Sequence, residues 1–404
     1  MAVTLQSIFQ QHFERFAAKR RLSREMHRAA WAVSHCRTRE LGGHVNSCPD
    51  GHFHQIAYNS CRHRSCPQCN WLPNTQWLDG WQKRLLPCPH HHVIFTVPHE
   101  LNVVWRHNKA AFADTLFAAA SQTLGELLGD QKYLGGRVGI LAALHTWNQE
   151  LQEHIHLHTI VTAGGLGGDG AWRKPRKNCL LPRKVLMIKF RGKFKAMLRE
   201  EVRQGRIKLP AWMSRENLDG LLKQLTSIPW NVKVYDAYRD GQSVAKYLAR
   251  YIKGGPIGNA RILSLENGEV AFRYRLPARR GGDGKKQAVK RLPVEEFLAR
   301  WLEHVPPKRF QSVRGYGLYS GNQHSRWQEA ATALAVEAVS APEDPQSWQQ
   351  WCAAAGMSEA CCCPHCGKQL ISHHEFRAGR GPPIAALPRG PMKNPSGVAG
   401  GKIA

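Results

Sequence analysis

Three histidines alternate with aliphatic residues at positions 154–158, which read His-Ile-His-Leu-His. On a β-strand, alternate side chains share a face and lie about 6.7 Å apart, so two such imidazoles can converge on one metal ion. The outer pair would be about 13 Å apart, which makes it harder for them to share an ion. We therefore predict that His156 and His158 bind a divalent cation, and that His154 supports them or contacts phosphate.

A third ligand must come from outside this strand. Gln149 in the preceding segment is the first choice, and Glu150 and Glu153 are the alternatives. The competing interpretation is a polar face of histidines without a metal, which is the usual explanation for an isolated histidine.

Two tyrosines, Tyr247 and Tyr251, lie four residues apart. On a helix this spacing puts them one turn apart on one face, with Cβ atoms about 6 Å apart. A phenol with a pKa of about 10 is a weak nucleophile at neutral pH, but a nearby cation can lower that pKa and polarise a phosphate. We predict a tyrosine nucleophile, with Lys246, Arg250 and Lys253 facing the same polyanion. The alternative is a tyrosine pair in the core.

Cysteines and histidines crowd the segment 48–69, where Cys66-Pro-Gln-Cys69 forms half of a tetrahedral zinc site. The predicted zinc ligands come from Cys48, His52, Cys61, Cys66 and Cys69, with His54 as an alternative to His52. These candidates outnumber the roughly four positions of a zinc site, and Cys61 and His63 are the contested ones. Arg62, His63 and Arg64 lie between these ligands, where they could contact phosphate.

A second cysteine pair, Cys363 and Cys366, is a candidate for a second zinc. Its partners could be Cys361, Cys362, His373 or His374. The alternative is a knuckle-like loop in a poorly ordered tail.

The chain of 404 residues is strongly basic, with 57 Lys and Arg against 30 Asp and Glu. A net charge of +27 indicates a polyanionic partner, and nucleic acid is the first choice. No stretch approaches the 18–20 apolar residues of a membrane span, so we expect a cytoplasmic protein. Twelve cysteines in that compartment favour metal sites over disulfides.

Hydrophobic periodicity predicts the elements that must position these residues. Four segments read as strands: His92–Val97, Arg137–Trp147, His154–Thr162 and Asn231–Tyr235. Three read as helices: 108–129, Lys184–Arg203 and Gln242–Ile252. Asn267-Gly268 predicts a hairpin turn near residue 268. We expect three regions: a helical and zinc-binding part over 1–86, a catalytic domain over 87–330, and a C-terminal region over 331–404. The last contains the candidate zinc knuckle (361–374) and a basic tail expected to be disordered.

In this order, the motifs resemble the HUH superfamily of single-strand DNA endonucleases. They resemble most closely its rolling-circle insertion-sequence transposases with a zinc-binding N-terminus. Five stretches, spread over about three-quarters of the chain, carry the resemblance: 42–69, 144–166, 244–262, 268–275 and 300–321. The chain departs from the family at Cys48, where the second cysteine of a C-x-x-C pair is missing, and His52 or His54 could replace it.

The resemblance implies an α+β fold, with a ferredoxin-like antiparallel sheet that carries His156 and His158 and a tyrosine helix alongside. It implies a prokaryotic, nucleoid-associated transposase that cleaves single-stranded DNA at transposon ends and forms a 5′-phosphotyrosine. Tyr247 would act first, with Mg²⁺ or Mn²⁺ as the catalytic ion and Zn²⁺ as the structural one. A homodimer is a candidate assembly.

Two other functions stay open at this stage. A plasmid rolling-circle replication initiator or relaxase would use the same chemistry, although the zinc module and the absence of a helicase domain favour the transposase. A non-enzymatic zinc protein that binds nucleic acid would not depend on either tyrosine.

Overall fold

The computed structural model describes residues 2–175, 180–238, 255–276, 286–334, 347–354 and 356–379. Its helices are α1 (Leu5–Ala17), α2 (Arg24–His35), α3 (Trp71–Gln82), α4 (Asn102–His107), α5 (Lys109–Gly129), α6 (Arg183–Arg203), α7 (Arg215–Ser227), α8 (Val294–Glu303), α9 (His324–Ala333) and α10 (Trp348–Ala354). Its strands are β1 (Gly43–Ser47), β2 (His54–Tyr58), β3 (His90–Thr96), β4 (Gly139–Trp147), β5 (Glu153–Thr162), β6 (Gly165–Leu166), β7 (Trp172–Arg173), β8 (Val232–Val234), β9 (Ile262–Glu266), β10 (Glu269–Arg275), β11 (Gln287–Pro293), β12 (Val313–Gly317) and β13 (Ile371–Phe376).

The central sheet is antiparallel and has the strand order β12-β4-β5-β3-β8. Four of its strands follow the chain order β3-α5-β4-β5-α6-β8, which is the ferredoxin-like arrangement. The α+β class with an antiparallel sheet, predicted from the sequence, is confirmed.

Alternation along the strands divides the side chains of this sheet between two faces. One face is apolar: Phe95, Leu157 and Ala142 are buried there. These residues belong to a core completed by α5 and α6, which contribute Phe112 and Phe190. Burial of this face fixes the strand register, since a slip of one residue would exchange the two faces.

The opposite face carries the histidines of β4 and β5. Part of it is covered by a second apolar cluster around Trp81, Leu141 and Tyr319. The buried Tyr319 hydroxyl is 2.6 Å from His90 Nε2 and accepts a hydrogen bond from the Leu86 amide. This cluster leaves the part of the face near the β4–β5 turn to the histidines.

Helices α1 and α2 pack on a second sheet, of order β11-β10-β9, and on α8. Phe9 meets Trp301 edge to face with ring centroids 4.9 Å apart, and Phe272 packs against Phe297. Thr4 begins α1 with a capping box, in which it and Ser7 exchange hydrogen bonds. The N-terminal helices therefore share one core with residues that lie between β8 and β12 in sequence.

A third sheet, of order β13-β1-β2, joins the N-terminal region to the C-terminal one. β13 pairs antiparallel with β1, with Val45 opposite His373 and Ser47 opposite Ile371. The three-region division stays a prediction, and this pairing links its first and third parts. Within the described ranges, no helix is long and apolar enough to cross a membrane.

Candidate active site

Three imidazoles meet on the histidine face of the central sheet. His145 of β4 lies directly opposite His156 of β5, and His158 follows two residues later on the same face. One nitrogen from each ring can be chosen so that the three atoms lie within 4.8 Å of one another. The histidine cluster, as we call His145, His156 and His158, is buried.

Hydrogen bonds orient two of these rings. His156 Nδ1 is 2.7 Å from the carbonyl oxygen of His154. A carbonyl can only accept, so His156 Nδ1 carries the proton and Nε2 keeps its lone pair. His158 Nδ1 is 2.8 Å from His92 Nε2, and when it donates that bond its own Nε2 is also left with a lone pair. The two Nε2 atoms are 3.0 Å apart, close enough for both to bind one ion.

Burial keeps these rings neutral. It is the largest cause that lowers the pKa of both His156 and His158 well below the ordinary value, and the neighbouring imidazoles, His145 first among them, add to the effect. Burial also lowers the pKa of His92 to about 4. Neutral imidazole is the form that binds metals, so His156 and His158 are in the form that can bind a cation at neutral pH.

The spacing of His156 and His158 fits a divalent ion. Neighbouring ligands of an octahedral ion with bonds of about 2.1 Å lie about 3.0 Å apart, which is the Nε2–Nε2 separation of His156 and His158. Imidazole ligands suit transition metals, whereas Mg²⁺ prefers oxygen. The residues present therefore fit Mn²⁺ better than Mg²⁺.

Four cysteines form a second candidate metal site where α2 ends. They are Cys36, Cys61, Cys66 and Cys69, whose sulfur atoms lie within 4.8 Å of one another. Cys61 Sγ is 3.6 Å from Cys69 Sγ, and tetrahedral zinc with Zn–S bonds of about 2.3 Å would separate sulfurs by about 3.8 Å. Hydrogen bonds from the neighbouring thiols, first that of Cys36, lower the pKa of Cys69.

Comparison with known proteins finds a zinc-binding region and a transposase region in this chain. Residues 8–97 match the family model described as "Transposase zinc-binding domain", and residues 139–326 match the one described as "Putative transposase". The chain is 33% identical over 388 residues to "Putative transposase y4qJ" of Sinorhizobium fredii, an alignment that covers 93% of this chain and 96% of that protein. The chain belongs to this family of transposases, and its zinc-binding region is of the IS91 type. It is also 29% identical over 310 residues to the transposase for insertion sequence element IS801 of Pseudomonas savastanoi pv. phaseolicola, covering 70% and 67% of the two chains.

In this transposase, the structure does not bring Gln149, the predicted third ligand, into the histidine cluster, and its role stays a prediction. Gln149 is exposed in the turn between β4 and β5, whereas His145 lies beside His156 and His158. The alternatives are engaged elsewhere, since Glu150 pairs with Lys290 and Glu153 with Arg106. The sequence does not reveal this contact, because the strand register shifts between His145 and Trp147. Counting back from the turn without that shift would put Leu144, not His145, opposite His156.

His154 lies at the edge of the histidine cluster. Its ring is half-buried and packs against His156 with centroids 4.8 Å apart, and its carbonyl oxygen orients that ring. A supporting position, as predicted, fits these contacts. His92 was not predicted, although it contacts His158 and stacks on Tyr235.

The predicted nucleophiles Tyr247 and Tyr251 lie outside the described residues, as do Lys246, Arg250 and Lys253. The described chain ends at Tyr238 and resumes at Gly255. Tyr238 bridges to His90 at the start of β3. A Cβ on Gly255 would lie 2.4 Å from the carbonyl oxygen of Ser65, so the chain resumes close against the zinc-binding region.

The predicted single zinc set is divided in the structure. Cys61, Cys66 and Cys69 are joined by Cys36, which the sequence interpretation missed because it considered only residues from 48 onward. Cys48 and His52 instead lie beside Cys363 and Cys366. The competing residues are engaged otherwise: His54 Nδ1 is 2.8 Å from Ser47 Oγ, and His63 Nδ1 accepts a hydrogen bond from the Ser65 amide.

Proposed function

We propose that this transposase cleaves single-stranded DNA at the ends of its element by attack of the Tyr247 hydroxyl, leaving a 5′-phosphotyrosine. The observation that carries the proposal is the histidine cluster, because three buried imidazoles whose ligand nitrogens lie within 4.8 Å of one another are a candidate site for a divalent ion. The chemistry such an ion supplies when bound is charge neutralisation at the scissile phosphate. The chain belongs to a family of DNA transposases, so the substrate of this chemistry would be DNA.

The atoms of the step balance without an external energy source. The Tyr247 oxygen forms a bond to phosphorus, and the bond from phosphorus to the 3′ oxygen breaks. The proton of the phenol ends on the leaving 3′ hydroxyl. One phosphodiester is exchanged for another, so the energy needed for strand transfer is kept in the enzyme–DNA linkage. Reversal with a different 3′ hydroxyl joins the strand to a target.

The chain around the cluster would hold and orient the ion. His145, His156 and His158 supply the ligand nitrogens, and His92 fixes the ring of His158 through its hydrogen bond. Such supporting hydrogen bonds to a ligand histidine commonly set the ring orientation and the tautomer. Lys246, Arg250 and Lys253 flank the tyrosines in sequence and are proposed to contact the DNA backbone.

A groove that we call the arginine groove supports single-stranded DNA as the substrate. Arg62, Arg84, Arg314 and Trp77 are among the residues that line it, and none of its described lining residues is acidic. Arginines bind phosphate, and an indole offers a surface for an unpaired base. Three of the four lining arginines also bond within the protein: Arg64 donates to the Phe310 carbonyl, Arg84 to the Tyr319 carbonyl and Arg314 to the Asp114 carboxylate.

The arginine groove lies beside the histidine cluster. It follows β12, where Val313 pairs with Ala143 and Ala143 in turn pairs with His158. Two strand spacings amount to about 10 Å. A strand of DNA in this groove therefore needs only one or two nucleotides to reach the cluster, which fits a substrate held along β12 and cut over β5.

The second tyrosine is proposed to hold or cut a second DNA end while Tyr247 carries the first. Tyr251→Phe then should leave the first cleavage intact and abolish strand transfer. If this variant keeps both reactions at the rate of the unaltered protein, Tyr251 has no such role.

The test is incubation of the full chain with labelled single-stranded oligonucleotides from the element ends, with Mn²⁺, followed by a denaturing gel. We expect a covalent protein–DNA adduct that is lost with Tyr247→Phe or with chelation, and kept with the control Tyr238→Phe. Binding without any adduct would favour a non-enzymatic zinc protein. Cleavage of a plasmid origin but no element end would favour a replication initiator.

A further inference from the structure

Two loops from opposite ends of the described chain are built alike and meet. Each begins with Cys-Pro, at Cys48 and Cys363. In each, the cysteine amide donates to the carbonyl five residues ahead, Phe53 in one loop and Lys368 in the other, at 2.8 Å in both. Each loop also turns through a glycine with positive φ, Gly51 at 75° and Gly367 at 72°. These are the features of a pair of zinc knuckles.

The loops bring four ligand atoms together. Cys48 Sγ is 3.5 Å from Cys366 Sγ and 3.8 Å from His52 Nδ1, and with Cys363 the four atoms lie within 4.8 Å of one another. A tetrahedral zinc would separate its ligand atoms by about 3.5–3.8 Å. The amide of His365 donates to Cys363 Sγ at 3.4 Å, a bond that stabilises a thiolate.

The surrounding contacts hold the two loops in place. β13 pairs with β1 directly beside the cluster. Cys48 and Cys363 are buried with Leu370 and pack against Phe53. Lys368 Nζ lies 2.8 Å from Asp50 Oδ2, which joins the tips of the loops. Contacts other than those between the four ligand groups therefore also hold the two loops together.

We propose that Cys48, His52, Cys363 and Cys366 bind a second structural zinc ion, separate from the four-cysteine site, and that this ion fastens the C-terminal strand β13 to the N-terminal module. The two halves of the site lie 318 residues apart in sequence, between Cys48 and Cys366. The ion would link residues that precede the central sheet to residues that follow it. The inference does not rest on the cleavage chemistry proposed above.

The first experiment counts zinc per chain by elemental mass spectrometry on the full chain, purified under reducing conditions. Every protein in this comparison, the parent included, also carries His156→Ala and His158→Ala, so that the histidine cluster binds no ion. We expect two zinc ions per chain, one with Cys366→Ser, and two with the matched control Cys362→Ser. One ion in the parent, or two ions that persist in Cys366→Ser, would overturn the proposal.

A second measurement needs no cysteine variant and covers the case in which Cys366→Ser fails to fold. X-ray absorption at the zinc edge, on the same background, should give an average shell of 3.5 sulfurs and half an imidazole nitrogen per zinc. A shell of four sulfurs, with no nitrogen, would show that only the four-cysteine site is filled. Hydrogen exchange adds the structural readout: amides of residues 371–376 should exchange faster on zinc removal, while those of β5 should not.

Discussion

Replacement of His92 by alanine should weaken metal binding without removing a ligand. His92 Nε2 lies 2.8 Å from His158 Nδ1, and its ring stacks on that of His158 with centroids 5.0 Å apart. Loss of a supporting group of this kind typically costs 10- to 100-fold in metal affinity, which is about 1.4–2.7 kcal/mol. We therefore expect the Mn²⁺ dissociation constant of His92→Ala to rise by roughly that factor.

The assay is titration of the chain with Mn²⁺, with the free ion followed by electron paramagnetic resonance. His92→Gln is the partial rescue, since its amide oxygen can accept the proton of His158 Nδ1. His91→Ala is the matched control, because His91 is buried on the same strand but belongs to the other face. Thermal unfolding checks that each variant is folded. Folded His92→Ala with unaltered Mn²⁺ affinity would refute the reasoning, and so would an equal loss in His91→Ala.

Three further outcomes follow from the structure. Mn²⁺ should support adduct formation at lower concentration than Mg²⁺, because the ligands are imidazoles, and a preference for Mg²⁺ would argue against this site. Burial lowers the pKa of His304 to about 4. Because an unfolded histidine titrates near 6.5, the unfolded state binds more protons below that pH, and the free energy of unfolding should fall by roughly 2 kcal/mol between pH 7 and pH 5 on account of this residue. Urea unfolding of His304→Gln should show a correspondingly shallower pH dependence, and an unchanged one would contradict the burial argument. Gly317→Ala should lower the free energy of unfolding by about 1–3 kcal/mol, because φ is +58° and the added Cβ would lie 2.0 Å from the Val138 carbonyl oxygen. Gly321→Ala is the control and should be neutral, because an added Cβ there meets open space. Equal effects of the two substitutions would contradict the predicted clash.

The sequence was sufficient to predict those features whose residues lie within one short segment of the chain. Alternation of histidines with aliphatic residues predicted β5 and the pair His156 and His158, because the strand period of two puts one set in the core. Asn267-Gly268 predicted the turn between β9 and β10, where both residues have the positive φ that such a turn requires. The basic helix predicted over 184–203 is α6.

The sequence was insufficient where ligands come from separate strands or loops. His145 joins the cluster only through the β4–β5 register, and Cys36 joins the zinc site only because α2 ends beside it. The partners predicted for Cys363 and Cys366 were drawn from nearby residues. The structure supplies Cys48 and His52 instead, while His373 Nε2 bonds to Ser47 Oγ. Local spacing cannot reveal a contact across 318 residues.

The most direct test of the account identifies the ligands of the catalytic ion. Electron spin echo spectra of Mn²⁺ bound to the full chain report each nitrogen that coordinates the ion. The account expects three imidazole nitrogens, reduced to two in His145→Ala, together with loss of the DNA adduct in His156→Ala and His158→Ala. An ion held by oxygen ligands alone, or adduct formation that survives replacement of both β5 histidines, would contradict it.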